Sequence, residues 1–277
     1  MANFQELLGR RFQKKVLSNL HRSKNICFLT ALPRSGNTLF ASIINQNPSI
    51  ACTGNSITLE ILKVLELLKF SDTFKNYPDH KSLDNVLDMV YSHFYKHWPQ
   101  GTVIDRGPAL SLGNFNLLKK HLNQPIQCII LWRDLTDVLA SYIKWFENEP
   151  TAFLNKDFNT IEEKVNELMH PEGGIVKTLK SIENALKEKE KYLFIRYEDL
   201  VNNTETIMKQ VYVYLQMPYY PHRYHSLSQF NLNGIKYDDT IVGNNLHTIR
   251  PNISIELNEY KKMIPESIIK KYGHIKL

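Results

Sequence analysis

Leu29-Thr30-Ala31-Leu32-Pro33-Arg34-Ser35-Gly36-Asn37-Thr38-Leu39-Phe40 is the stretch that decides how this chain folds. The apolar run from Ile26 to Thr30 reads as a buried strand, and Thr38 to Gln46 reads as the helix that follows it. A turn of this kind leaves the first backbone N–H groups of the helix without partners. With the positive end of the helix dipole, those groups face any anion lodged in the turn.

Set against the phosphate loop G-x-x-x-x-G-K-[ST], residues 31 to 38 keep the second glycine, Gly36, and the hydroxyl residue, Thr38. They carry Ala31 for the first glycine and Asn37 for the lysine. That lysine reaches the β- and γ-phosphates of a triphosphate, so Asn37 argues against ATP or GTP hydrolysis. Arg34 supplies a cation inside the loop instead, and its planar fork suits a tetrahedral oxyanion.

Two further strand-to-helix junctions have the same character. Gln127 to Trp132 is an apolar strand running into Arg133-Asp134-Leu135-Thr136-Asp137-Val138-Leu139-Ala140-Ser141, a helix that opens with acidic residues. Helical side chains lean toward the N-terminus, so Ser141 can point back toward Arg133, offering one phosphate a guanidinium and a hydroxyl. The plainer alternative is that Asp134 caps the helix and pairs with Arg133 at the surface. Lys191 to Arg196 is a third strand; it is followed by Tyr197-Glu198-Asp199, read as a polar turn, and by a helix around Glu205 to Leu215.

Taken together the three junctions resemble the PAPS-dependent sulfotransferases, which take a sulfuryl group from 3′-phosphoadenylyl sulfate (PAPS) and release PAP. Pro33-Arg34-Ser35-Gly36-Asn37-Thr38-Leu39 is similar to the family's 5′-phosphosulfate loop, in the Pro-Arg-Ser-Gly form of the tyrosylprotein and Golgi-type branches rather than the cytosolic one. Arg133 with Ser141 resembles the 3′-phosphate motif, and Arg196-Tyr197-Glu198-Asp199-Leu200 resembles a segment whose tyrosine lies against the nucleotide. The resemblance implies that Arg34, Ser35, Gly36, Asn37, Thr38 and Leu39 bind the cofactor's 5′ end, and that Arg133, Ser141 and Tyr197 bind the rest. Arg250, in Leu246 to Pro251, stands where the family has a late basic loop closing over the 3′-phosphate; a surface arginine is the alternative.

The resemblance is less explicit about the base. In Pro48 to Ser56, Asn55 stands where the tyrosylprotein branch has its catalytic glutamate, and an amide cannot take a proton. In other branches the base lies just after the second strand, where this chain has Ile104-Asp105-Arg106-Gly107-Pro108. Asp105 is then the expected base, or an ion-pair or capping residue, and Arg106 contributes positive charge to the sulfate. Glu60 is a further choice. Arginines and N–H groups meet the charge, so no metal is expected.

The rest of the chain agrees with this layout. Helical patterns cover about Asn3 to Leu20, Ile57 to Phe70, Ser82 to His97, Leu112 to Leu122, Leu135 to Phe146, Thr160 to Met169 and Ile175 to Lys189, with a short strand at Thr102 to Asp105. Strands alternating with helices predict an α/β fold: a three-layer, P-loop-like arrangement with a central parallel sheet flanked by helices and ligands at the strands' carboxyl ends. Residues 1–277 read as a single domain, with 218 to 252 as a long functional loop.

With 43% hydrophobic residues and no apolar run near the ~20 residues that span a bilayer, the chain reads as soluble. The first residues lack a secretory pattern, which predicts a cytoplasmic protein. A net charge of +6 favours an anionic partner, but no nucleic-acid-binding motif is present. The expected partner is therefore a small-molecule or carbohydrate acceptor, its hydroxyl or amine receiving the sulfuryl group. The rivals are a P-loop-like nucleotide kinase and a non-catalytic nucleotide-binding protein on the same fold.

Overall fold

The computed structural model describes residues 24–149, 152–229, 231–236, 249–253 and 259–275. Five strands form one sheet, β1 (Asn25–Ala31), β2 (Ile50–Cys52), β3 (Thr102–Arg106), β4 (Gln127–Trp132) and β5 (Leu193–Arg196), in the order β2-β3-β1-β4-β5. Every pairing is parallel. The chain leaves β1 toward one edge and, after β3, crosses to the other side. The crevice where strand order reverses therefore opens at the carboxyl end of β1, where open α/β sheets hold their ligands.

Residues alternate between the two faces of the central strands, and each face has its own core. Ile26 and Phe28 of β1, Val103, Cys128 and Ile130 pack with α2 (Ile57–Leu67), α4 (His80–Phe94), α5 (Leu112–His121), α6 (Leu135–Asn148) and α8 (Gly174–Leu186). Cys27 and Leu29 of the same strand, with Ile104, Ile129 and Leu131, pack against α1 (Asn37–Ile44) and α10 (Thr204–Tyr214). The remaining described helices are α3 (Asp72–Asn76), α7 (Ile161–Leu168), α9 (Tyr197–Asn202) and α11 (Glu266–Tyr272). All three cysteines are buried and free.

The expected parallel sheet and its helices are present, with three differences. Ile50–Cys52 is an edge strand too short to show a sequence period. Tyr197–Asn202 is a helix rather than a polar turn. Within the presumed long loop, β6 (Asn231–Leu232) and β7 (Ile235–Lys236) form a small antiparallel hairpin. The expected helix at Asn3 to Leu20 lies outside the described residues.

Beyond α10, His222 lies among tyrosines, its ring centroid 5.6 Å from that of Tyr212 and 5.4 Å from that of Tyr220. Burial pushes its pKa down from 6.5 to about 4. Its contribution to stability is then whole above about pH 6.5 and is lost as pH falls through about 4, because the unfolded chain takes up a proton that the folded chain refuses. In a series of Tm against pH, His222→Phe should flatten part of the acid decline; an unchanged profile would assign that decline to other groups.

Candidate functional site

Parallel register brings the three junctions to one edge. Leu29 pairs with Arg106 on β3, Ala31 with Leu131 on β4, and Trp132 with Arg196 on β5. The residues that follow these strands therefore emerge side by side. The Leu32 N–H still bonds the Leu131 carbonyl at 3.1 Å, so the loop leaves the sheet only at Pro33.

Within the loop, Arg34 has φ 63° and Gly36 has φ 84°, both left-handed. The Ser35 N–H donates back to the Leu32 carbonyl at 3.3 Å, closing a tight turn. Gly36 then becomes the N-cap of α1, and no side chain caps that helix. The first-turn N–H groups at Asn37, Thr38 and Leu39 accordingly face the mouth of the loop.

Ser35 and Asn37 turn their side chains inward. Ser35 is fully buried, and the Asn37 amide donates to the Leu32 carbonyl at 3.2 Å. Asn37 thus stands at the lysine position of a triphosphate loop but ties the loop to itself. What these two residues present to a ligand is their backbone.

Arg34 Nε donates to Ser141 Oγ on α6 at 3.0 Å, and Arg133 Nη1 donates to the Arg34 carbonyl at 3.2 Å. The Arg133 guanidinium lies 4.2 Å from the centre of the Tyr197 ring. Glu198 stands 3.8 Å from Arg133 Nε and 2.9 Å from Arg196 Nε. Asp134 does cap α6, accepting from the Thr136 N–H at 2.9 Å, which leaves Arg133 facing the loop rather than its own neighbour. Arg34, Arg133, Ser141 and Tyr197, from three separate segments, form one cluster. Ser141 meets Arg34 rather than Arg133, the partner expected from the sequence.

Burial draws the Arg34 guanidinium below its ordinary pKa, and the like charges of Arg133 and Arg250 push the same way, against Tyr142 and Tyr197. Arg250 is exposed yet close enough to act on Arg34. Leu246 to Thr248 of its loop lie outside the described residues. On the other side of the cluster, Tyr142 feels both Arg34 and Arg106. Arg34, Arg133 and Arg250 thus act on one another beside an uncapped helix end, a charge excess that an anion relieves.

Asp105 requires a correction. It has no exposed surface, and its two oxygens accept from five hydroxyls: Thr53 at 3.2 Å and Tyr95 at 3.0 Å on Oδ1, and Ser56 at 2.6 Å, Thr58 at 2.7 Å and Tyr91 at 3.0 Å on Oδ2. A carboxylate filled in this way does not reach an acceptor's proton. Glu60 is paired with Lys63 at 2.7 Å and points to solvent. Asn55 is exposed at the turn before α2. The hydroxyl set around Asp105 escaped sequence reading; its available signal was the pair Tyr91 on α4 and Tyr95 at its C-cap, one turn apart, beside the run Thr53-x-x-Ser56-x-Thr58.

A cofactor carrying a 3′-phosphate and a 5′-phosphosulfate fits these residues. Arg133 Nε is buried without a hydrogen-bond partner, and the α1 N-terminus is free of side-chain caps. Both are places where phosphate oxygens complete otherwise unmet donors.

The model of the sulfotransferase family matches residues 27–221. Among solved structures, the chain is similar to the sulfotransferase domain of the Synechococcus PCC 7002 olefin synthase, at TM-score 0.50 and 14% identity over 88% of this chain and 95% of that one. It is also similar to the sulfotransferase domain from the curacin biosynthetic pathway (TM-score 0.46, 18% identity, 92% of this chain and 93% of that one). Mouse sulfotransferase SULT7A1 complexed with PAP gives TM-score 0.46 and 15% identity over 74% of this chain and 64% of that one. No curated protein matches the sequence significantly. At 14% identity the likeness to the olefin synthase domain bears on the fold alone, the parallel sheet with helices on both faces. Among the described residues, no helix is long and apolar enough to cross a membrane.

Proposed function

The chain belongs to the sulfotransferase family, and from that premise we propose that its sulfuryl donor is PAPS, held across the three junctions and passed to a hydroxyl or amine of a small-molecule or carbohydrate acceptor. When bound, PAPS supplies an activated sulfuryl group and a phosphate leaving group. The first-turn N–H groups of α1, with Arg34 and Thr38, hold the 5′ end and meet the charge that builds on the leaving phosphate. Arg133, stacked on Tyr197, takes the 3′-phosphate with Arg250. Arg106, at the end of β3, would supply positive charge to the sulfuryl oxygens.

The observation that carries this reading is the Arg34 guanidinium, half-buried and crowded by other arginines beside an uncapped helix. No triphosphate lysine is present, and its stand-in, Asn37, is turned into the loop. In this reading charge relief falls to the arginines and N–H groups, which act without a metal.

Thermal stability in excess ligand tests the proposal. PAP at ~100 times its dissociation constant should stabilise the protein by about 2.7 kcal/mol without added metal. Arg133→Ala should weaken PAP about 10- to 100-fold while leaving adenosine 5′-phosphate, which lacks the 3′ group, far less affected. Stabilisation by ATP with Mg²⁺ and none by PAP would return the chain to the P-loop kinases.

A further inference from the structure

The carboxylate that cannot serve as a base sits one residue before Arg106, and its hydrogen bonds lead there. Thr53 Oγ1 donates its single hydrogen to Asp105 Oδ1 at 3.2 Å and accepts from the Arg106 N–H at 2.9 Å. The Thr53 N–H is itself fixed, donating to the Ile104 carbonyl at 3.0 Å. Ser56, which donates to Asp105 at 2.6 Å, also caps α2 by accepting from the Leu59 N–H at 3.0 Å. One carboxylate thus binds the end of β3, the turn after β2 and the start of α2.

We infer that Asp105 is a positioning residue: acting through Thr53, it fixes the backbone at Arg106 and with it the direction in which the guanidinium meets the sulfuryl group. This rests on the proposed donor and on Arg106 facing its sulfuryl end.

Chemistry explains why the position needs a carboxylate. Both oxygens must accept, and hydrogen bonds to an ionised acceptor are about twice as strong as neutral ones. Asparagine would turn a donor toward either Thr53 and Tyr95 or Ser56, Thr58 and Tyr91. Burial, and next the charge of Asp105, raise the pKa values of Tyr91 and Tyr95, so both phenols remain donors throughout the working pH range. Gly107 extends the constraint, since a Cβ there would lie 2.9 Å from Leu59 Cδ1 and 3.0 Å from Ser56 Cβ. The chain just after Arg106 is therefore packed directly on the segment that Asp105 holds.

Binding, with no acceptor and no turnover, separates this role from a merely structural one. PAPS and PAP differ by the sulfuryl group, so the ratio of their affinities, measured by calorimetry, reads the Arg106 contact. Arg106→Ala should lower PAPS affinity roughly tenfold while leaving PAP unchanged. Thr53→Val, close in shape but without the hydroxyl, should reproduce a several-fold part of that selective loss. In an Arg106→Ala background Thr53→Val should add nothing, because the two act through one contact. Asp105→Asn should behave like Thr53→Val if it folds, and Thr53→Val alone carries the test if it does not.

Equal PAPS:PAP ratios in Thr53→Val and the wild type overturn the inference, as does an Arg106→Ala variant that loses both ligands alike. Failure of the wild type to bind either nucleotide overturns the donor assignment instead.

Discussion

Arg34→Gly should slow sulfuryl transfer roughly 10²–10³-fold while leaving the protein as stable as before. The two outcomes have separate causes. Arg34 has φ 63°, a left-handed conformation that costs a residue with a Cβ about 1–2 kcal/mol and glycine almost nothing. The substitution also removes the bond from Arg34 Nε to Ser141 Oγ, a net contribution of about 1 kcal/mol. The terms nearly cancel. The Arg34 carbonyl, which receives Arg133, is kept because it belongs to the backbone.

Loss of the guanidinium, by contrast, removes preorganised positive charge from the leaving phosphate, worth roughly 10²–10³-fold in rate. Tm should stay level or rise, while turnover with an acceptor found by a PAPS-based screen should fall by that factor. Arg34→Lys should keep the strain and lose the fork, falling between the two. Turnover at the wild-type rate in Arg34→Gly would remove Arg34 from the mechanism. Strain retained at one loop residue is what a functional site holds at the expense of stability.

The strained loop also shows how far a sequence can be read. Strand and helix positions were legible because β1, β3 and β4 are apolar runs between polar turns, and α6 repeats at a helical period. The meeting of Arg34, Arg133 and Tyr197 was legible because a parallel sheet must bring strand ends to one edge. Asp105 was misread for a physical reason. Sequence reports a carboxylate next to an arginine, but not the hydroxyls that reach it from Thr53, Ser56 and Thr58 across the turn and from Tyr91 and Tyr95 at the end of a separate helix. The inward turn of Asn37 was hidden likewise, since its partner is a backbone carbonyl. Local pattern gives the elements; the partners of buried polar atoms come from packing.

Packing also makes Gly36 intolerant of any side chain. Its φ of 84° already charges any other residue about 1–2 kcal/mol, and a Cβ would stand 2.9 Å from Tyr197 Cδ2, closer than van der Waals contact allows. The Tyr197 ring cannot retreat freely, because the Arg133 guanidinium lies against it at 4.2 Å and Arg133 in turn holds the Arg34 carbonyl. A single methyl group at Gly36 therefore presses on the contact proposed to hold the 3′-phosphate and tilts the loop proposed to hold the 5′ end. Gly36→Ala should lower Tm by about 4–8 °C, from about 2 kcal/mol at 2–4 °C per kcal/mol, and should weaken PAP at least tenfold by calorimetry, about 1.4 kcal/mol. Adding Tyr197→Ala separates the causes. It opens the space but leaves φ as it is, so part of the Tm loss should return while PAP binding, now lacking the ring beneath Arg133, should not. If Gly36→Ala melts and binds as the wild type does, the close approach of Gly36 to Tyr197 plays no part in holding the nucleotide, and the cluster must be assembled by Arg34 and Arg133 alone.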